Sequence, residues 1–245
     1  HFSVLSELNI RCLIEKPLTA DTSTSEQLLK LSSKAALRDQ VGYVLRHAPS
    51  LKRVYEILRR EEIGEPDRVL LRNWSHLSDW RPGTKPLASV SARKSLGGGV
   101  LLEMSHEIDY ASWLFGELRL DRVAHIAKDS LGLAVEDTVG FSCQLPGGGT
   151  AEFELSMGTR RKERWLRVEW GTEHLQLDLI HGRLRGTGEF RQFDHDYGPL
   201  DSRWLFRQQM KCFVSGETNL SNASLTDGYG VVRLVDAVKN HRRAI

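Results

Sequence analysis

Past Gly116 the sequence changes its period. Segments 123–127, 138–144, 150–156, 166–170 and 175–179 follow one another as short runs with alternating apolar positions. Turn sequences such as Pro146-Gly147-Gly148-Gly149 separate them. Five consecutive strands of this kind predict one large, mostly antiparallel sheet laid down as a meander. Two helices, over 202–214 and 225–240, close the chain.

Ahead of that point the order is helix and strand in alternation. Residues 2–8 read as a helix, and Arg11-Cys12-Leu13-Ile14 as a strand buried on both faces. Asp21, Thr22 or Ser23 caps a helix running through Leu28, Leu29 and Leu31 to about residue 37, and 41–45 read as a second strand. This is half of a doubly wound α/β unit, too few strands for a stable sheet by itself. A helix over 51–60 stops at Gly64 and Pro66, and Val69-Leu70-Leu71 starts a strand. Segment 74–86, rich in Ser, Pro, Gly and Trp, reads as a long ordered loop, where Trp80 and Arg81 are expected to meet a ligand. Gly97-Gly98-Gly99 leads into a helix over 101–115 that ends at Gly116. The expected fold is therefore α/β plus α+β: 1–46 as the remnant of a dinucleotide-binding domain, and 47–245 as an α+β domain with a sheet and flanking helices. The last helix is positioned to pack back on the first part.

Composition narrows the function. A formal charge of +2 gives no basis for binding nucleic acid or an anionic membrane. The basic clusters Arg160, Arg161, Lys162, Arg164 and Arg242, Arg243 are short and read as solvated faces. No apolar run approaches the roughly 20 residues of a membrane span. Three cysteines, Cys12, Cys143 and Cys212, lack metal-type spacing and read as free thiols in the cytoplasm. The chain opens on His1 rather than Met, so a natural start is expected upstream or removed.

Two places can carry chemistry. Glu15-Lys16-Pro17 lies at the carboxyl end of the first strand, the edge where ligands bind in open α/β sheets. A lysine there can anchor a hydroxyl or carbonyl, and equally can be half of a surface ion pair. The second is the 101–115 helix. Met104, Ile108, Ala111 and Phe115 share one stripe, expected to be buried, while Glu103, His106, Asp109, Tyr110 and Trp113 fall opposite. His106 suits a proton relay near neutrality, with Glu103 or Asp109 holding its tautomer or meeting substrate hydroxyls. A polar outer face reads equally well from spacing alone. Asp194-His195-Asp196 lacks a distant fourth ligand, so no metal is expected. His125, His174 and His181 read as structural, and Ser91, Ser95 and Ser105 lack a nucleophile elbow. Gly228-Tyr229-Gly230 misses the third glycine of a dinucleotide turn.

Together these residues resemble the Gfo/Idh/MocA oxidoreductases, which include glucose–fructose oxidoreductase and inositol dehydrogenase. The likeness runs from His1 through Ile14-Glu15-Lys16-Pro17-Leu18, Arg46, Pro49 and Glu62-Ile63-Gly64 to Gly97-Gly98-Gly99-Val100-Leu101-Leu102, His106-Glu107-Ile108-Asp109 and Trp113-Leu114-Phe115-Gly116. The resemblance implies catalysis by Lys16 and His106. It implies substrate contacts from Glu103, Asp109, Tyr110, Trp80 and Arg81, and NAD or NADP held in part by His1, Glu15, Lys16, Pro17 and Arg46. It also implies a homodimer or homotetramer built through an open-faced C-terminal sheet. Two departures stand out. Many members carry an aspartate four residues before the histidine, where this chain has Leu102, with Glu103 beside it. The Rossmann domain's Gly-x-Gly-x-x-Gly turn and acidic ribose-binding residue are not among these residues, so the chain is expected to bind a dinucleotide poorly and to be inactive by itself. The leading reading is a dehydrogenase acting on a sugar, sugar nucleotide or cyclitol. The others are a nicotinamide-dependent glycosidase of the same architecture and a non-catalytic sugar-binding or dimerising relative.

Overall fold

Alternation of apolar and polar side chains organises the C-terminal part of the computed structural model, which describes residues 1–32, 39–80, 83, 89–127 and 131–241. Eight strands form one sheet: β3 (Arg68–His76), β4 (Arg119–Ala127), β5 (Thr138–Gln144), β6 (Thr150–Ser156), β7 (Gly158–Trp170), β8 (Glu173–Asp178), β9 (Arg183–Gly186) and β10 (His195–Asp196). Their order is β10-β9-β8-β7-β3-β6-β5-β4. Val69 and Leu71, Phe141 and Cys143, Ala151, Phe153 and Leu155, Leu166 and Val168, and Leu175 and Leu177 are buried, each set at every second position of its strand. Phe141 stacks on Phe153 at 4.5 Å between ring centroids. The other face carries cross-strand ion pairs, Arg68 with Glu152 at 2.7 Å and Arg72 with Glu154 and Glu163.

The expected meander is interrupted at its centre. β3 inserts between β6 and β7, parallel to β6 through Val69↔Ala151 and antiparallel to β7 through Val69↔Val168. Both neighbours present apolar side chains to the same face as Val69 and Leu71, so the slot between them matches β3 on each side.

The first part is smaller. β1 (Leu13–Ile14) and β2 (Gln40–Val41) pair in parallel, Leu13↔Gln40 and Ile14↔Val41. Helix α1 (Phe2–Glu7) precedes them and α2 (Thr22–Leu31) lies between, with Asp21 capping α2 by accepting from the Thr24 amide at 2.8 Å. The continuation of α2 expected toward residue 37 falls outside the described residues. The second strand is shorter than 41–45, because Val44–His47 turns into a tight 3₁₀ helix ahead of α3 (Pro49–Leu58).

After β3 come a helical turn, α4 (Leu77–Trp80), and then α5 (Val100–Glu103) and α6 (Ser105–Phe115). The single helix expected over 101–115 is thus broken at Met104. The sequence ahead of it is tightly built: a Cβ on Gly98 would come 2.5 Å from the Ser91 carbonyl oxygen, and Gly99 holds φ at 116°. The chain ends on α7 (Ser202–Ser215), capped by Asp201, and α8 (Leu225–His241). α8 reaches back over α2, where Asp236 accepts from the amide and hydroxyl of Thr22 at 2.7 and 2.6 Å. Among the described residues no helix is long and apolar enough to cross a membrane.

Candidate active site

Lys16 lies two residues past the end of β1, and its ammonium donates to the carbonyl oxygen of Glu103, the last residue of α5, at 2.7 Å. The Lys16–Pro17 peptide is cis. His106 stands one residue into α6. Lys16, Glu103 and His106, drawn from sequence positions 87 to 90 apart, line one cleft of about 490 Å³ together with Asn73, Trp80 and Arg164. Burial lowers the Lys16 amine from its ordinary value, with Glu103 and Glu107 pulling it back up. Burial, then Lys16 and Arg164, holds the His106 imidazole well below the ordinary histidine range. At neutral pH the ring is therefore uncharged and able to accept a proton. Its Nδ1 is buried without a hydrogen-bond partner, and Tyr43 meets the ring edge-on at 5.7 Å between centroids.

The reading of α6 as one buried stripe and one polar face is corrected. Ser105, Glu107, Ile108, Asp109, Tyr110, Ala111 and Leu114 are all buried. The helix is enclosed on nearly every side, and its two buried carboxylates are ion-paired inside the protein, Glu107 with Arg164 and Asp109 with Arg46. Asp109 takes two donors of Arg46, at 3.1 Å from Nε and 2.7 Å from Nη2, and neither residue is more than 3% exposed. Burial pushes the Asp109 carboxyl up to about 6 against the pull of Arg46. Tyr110 is wholly buried. Asp109 and Tyr110 are thus removed from the substrate contacts and Arg46 from the cofactor contacts, because ion pairing and core packing already occupy them. Trp113 stacks on Tyr55 at 4.7 Å rather than facing solvent.

Of the other expected residues, Trp80 lines the cleft, its indole nitrogen donating to Ser75 Oγ at 2.9 Å. Arg81 lies outside the described residues. The loop expected over 74–86 begins as ordered structure, since 74–76 finish β3 and α4 follows. Leu102 is buried at 2% exposure and cannot stand in for the family's aspartate, whereas Glu103 reaches the cleft. Glu15 is exposed beside it, and His1 is exposed at the start of α1.

Glu107, Arg164 and Asn73 escaped the sequence reading. Glu107 is fully buried and its Oε1 takes Arg164 Nε at 2.7 Å and Asn73 Nδ2 at 3.0 Å. Arg164 does not belong to a solvated basic cluster. It lies on the same face of β7 as Leu166 and Val168, and Asn73 faces it from β3. Strand alternation carried two residues further back than 166 contained that signal. Asp194, His195 and Asp196 stay at the far edge of the sheet, Asp196 paired with Arg185. Among the described residues no cluster of His, Cys, Asp or Glu is arranged to hold a metal ion.

Sequence comparison matches this architecture to a known domain: the GFO/IDH/MocA C-terminal domain covers residues 51–174. The chain belongs to the Gfo/Idh/MocA family. A curated relative, UDP-N-acetylglucosamine 3-dehydrogenase of Acidithiobacillus ferrooxidans, is 26% identical over 200 residues, 77% of this chain. The aligned region spans 56% of that relative's length. Among solved structures, levoglucosan dehydrogenase in complex with NADH and levoglucosan superposes with a TM-score of 0.82 at 16% identity, over 99% of this chain and 74% of that one. An inositol dehydrogenase homolog complexed with NAD+ from Azotobacter vinelandii gives 0.74 at 16% identity, over 99% and 72%. These two likenesses establish the shared Gfo/Idh/MocA fold.

Proposed function

We propose that the complete protein is a nicotinamide-dependent oxidoreductase that interconverts a hydroxyl and a carbonyl on a sugar, sugar nucleotide or cyclitol. The observation that carries this reading is the meeting of Lys16 and His106 in one cleft, the lysine fixed by the Glu103 carbonyl and the histidine held neutral. Oxidising an alcohol requires a base at its oxygen and a donor to steady that oxygen as charge develops. His106 takes the proton in one direction and returns it in the other, while Lys16 donates to the reacting oxygen. Trp80 offers an aromatic face to a sugar ring at the side of the same cleft.

The named relatives act on UDP-N-acetylglucosamine and levoglucosan, or are inositol dehydrogenase-like, and two were solved with NAD+ or NADH. Those names support a hydroxylated ring as substrate and NAD or NADP as cofactor. The residues present fit the nicotinamide end of such a cofactor. The carboxyl ends of the parallel strands β1 and β2 leave Glu15 exposed and Gly42 without a side chain, where a Cβ would sit 3.2 Å from the Glu15 carboxylate. Glu15, Lys16 and Pro17 would hold that end, with His1 near the start of the same segment. The cofactor, when bound, accepts or gives the hydride. We also read the exposed face of the eight-stranded sheet as the surface through which copies associate.

In the complete protein, Lys16→Ala or His106→Ala is expected to lower turnover by roughly 10²-fold or more. Steady-state NAD(P) reduction against a sugar panel measures this. Near-normal turnover in both variants removes the assignment.

A further inference from the structure

We propose that Glu107 is a positioning residue of the active site: from behind the cleft it ties the helix that carries His106 to the sheet wall, and it cancels the charge of Arg164 beside Lys16. The inference rests on the dehydrogenase reading and adds to it a residue that does not touch the substrate.

Glu107 follows His106 on α6 and has no exposed surface. A buried carboxylate is unfavourable unless paired, and a well-packed apolar side chain often serves stability as well as an ion pair does. Ile108, Ala111 and Leu114 show that α6 takes apolar residues where it packs. What sets Glu107 apart is the identity of its partners. Its Oε1 lies 2.7 Å from both Nε and Nη2 of Arg164 and accepts from Asn73 Nδ2 at 3.0 Å. Asn73 and Arg164 stand opposite each other on β3 and β7, two residues beyond the buried pair Leu71 and Leu166 on the same face. Both line the cleft. One carboxylate oxygen thus gathers three donors from two adjacent strands and fixes two cleft-lining side chains against the helix that bears the histidine. Asp109, the other buried carboxylate of α6, pairs instead with Arg46, which is itself only 3% exposed.

The charges of this pair reach the reacting groups. Burial lowers the Lys16 amine; Glu103 on α5 and Glu107 on α6 raise it, Arg164 on β7 lowers it again, and Glu15 raises it. Arg164 also acts downward on His106. Asp79, Lys162 and Glu163 line the same cleft, and Arg72 and Arg161 engage Glu163. Lys16 has to keep its proton in order to donate to the reacting oxygen. Without Glu107, Arg164 would stand uncompensated at the cleft and disfavour the ammonium. Without Arg164, the buried carboxylate would stand unpaired and favour it. The pair holds the wall in place while its two charges act on Lys16 in opposite senses.

The test compares Glu107→Gln, Arg164→Gln and the double variant in the complete holoenzyme. Glutamine keeps the shape of Glu107 and an acceptor for Arg164, so it removes the charge with little loss of packing. The alkaline limb of kcat/KM is measured with UDP-N-acetylglucosamine, levoglucosan and inositol as substrates. It should move to lower pH by about one unit in Glu107→Gln and to higher pH by a similar amount in Arg164→Gln. In the double variant it should return close to its original position. The pH dependence of Lys16 acetylation by acetic anhydride, read by mass spectrometry, should shift in the same order and needs no turnover. An ion pair with only a structural role would lower the melting temperature and leave both profiles where they were. If Arg164→Gln fails to fold because it strands a buried charge, Glu107→Gln against the double variant carries the test: the single should be displaced and the double should not. Unmoved profiles, displacement in one direction in both single variants, or a double variant displaced as far as Glu107→Gln overturn the inference and leave the dehydrogenase reading standing. Absence of cofactor reduction with every substrate overturns both, whatever the acetylation profiles show.

Discussion

Arg46 and Asp109 show how much of this site is held from behind. The pair lies directly beneath the cleft-lining histidine, with Asp109 three residues after His106 on the same helix, and both members are almost wholly withdrawn from water. Asp227 approaches the same guanidinium at 3.5 Å from the start of α8, so one arginine ties α6, α8 and the junction between the two parts of the chain. Removing one partner of a buried ion pair leaves an uncompensated charge, which costs more than the pair itself contributes. Asp109→Ala is therefore expected to destabilise the protein by about 3–5 kcal/mol. Denaturant unfolding measures the change, and a loss under about 1 kcal/mol would show that Asp227 compensates alone.

At the scale of elements, the break between α5 and α6 sets where Glu103 and His106 meet the cleft. Met104 interrupts the helix, Glu103 ends α5 with its carbonyl turned to Lys16, and His106 is the second residue of the next helix. The glycine run before it fixes where α5 can start. Gly98 stands 2.5 Å from one backbone oxygen and 2.7 Å from another at the place a Cβ would take, and backbone cannot yield as a flexible side chain does. Gly98→Ala should lower stability by about 1–3 kcal/mol and displace the segment leading to Glu103. A thermal melt with unchanged midpoint would show that the Ser91 turn relaxes instead. Sequence reasoning located the glycine run and the helix correctly, yet it missed the break. Val100 to Phe115 keeps helical periodicity throughout, and the break shows only in the backbone of Met104, at φ -98° and ψ 28°.

At the scale of the whole molecule, folding buries groups that titrate near the working pH range. His47, at 1% exposure, has both ring nitrogens without partners, and burial, then Lys52 and Arg46, lowers its pKa to about 4. The unfolded chain binds that proton near the ordinary value of about 6.5. Between pH 6.5 and 4 the unfolded state thus carries a proton the folded state refuses, and stability falls as pH falls through this window. The full effect is on the order of 3 kcal/mol. Comparing unfolding free energies of the unaltered protein and His47→Leu from pH 7.5 to pH 4 isolates it. The variant's curve should be flatter, and parallel curves would contradict the assignment. His106 is lowered in the same direction, so its contribution remains in both proteins.

Strand identity was legible in the sequence because each strand's apolar residues recur at every second position, and 138–144 and 150–156 coincide with β5 and β6 to the residue. Lys16, Glu103, His106 and Trp80 were also legible, as polar or aromatic residues at strand ends, helix starts and a composition-rich loop. The strand order was not. Parallel pairing of β3 with β6 joins positions 82 residues apart, and no local pattern encodes that partnership. Nor did periodicity tell the cleft from the core. Glu103 and His106 face the cleft while Asp109 and Tyr110 are enclosed, although all four share one helical arc in the sequence. A 3.6-residue period reports which residues share a face, whereas the neighbours that enclose that face come from distant segments. Burial of Glu107 and Asp109 is possible only because Arg164 and Arg46 arrive from 57 and 63 residues away to pair with them.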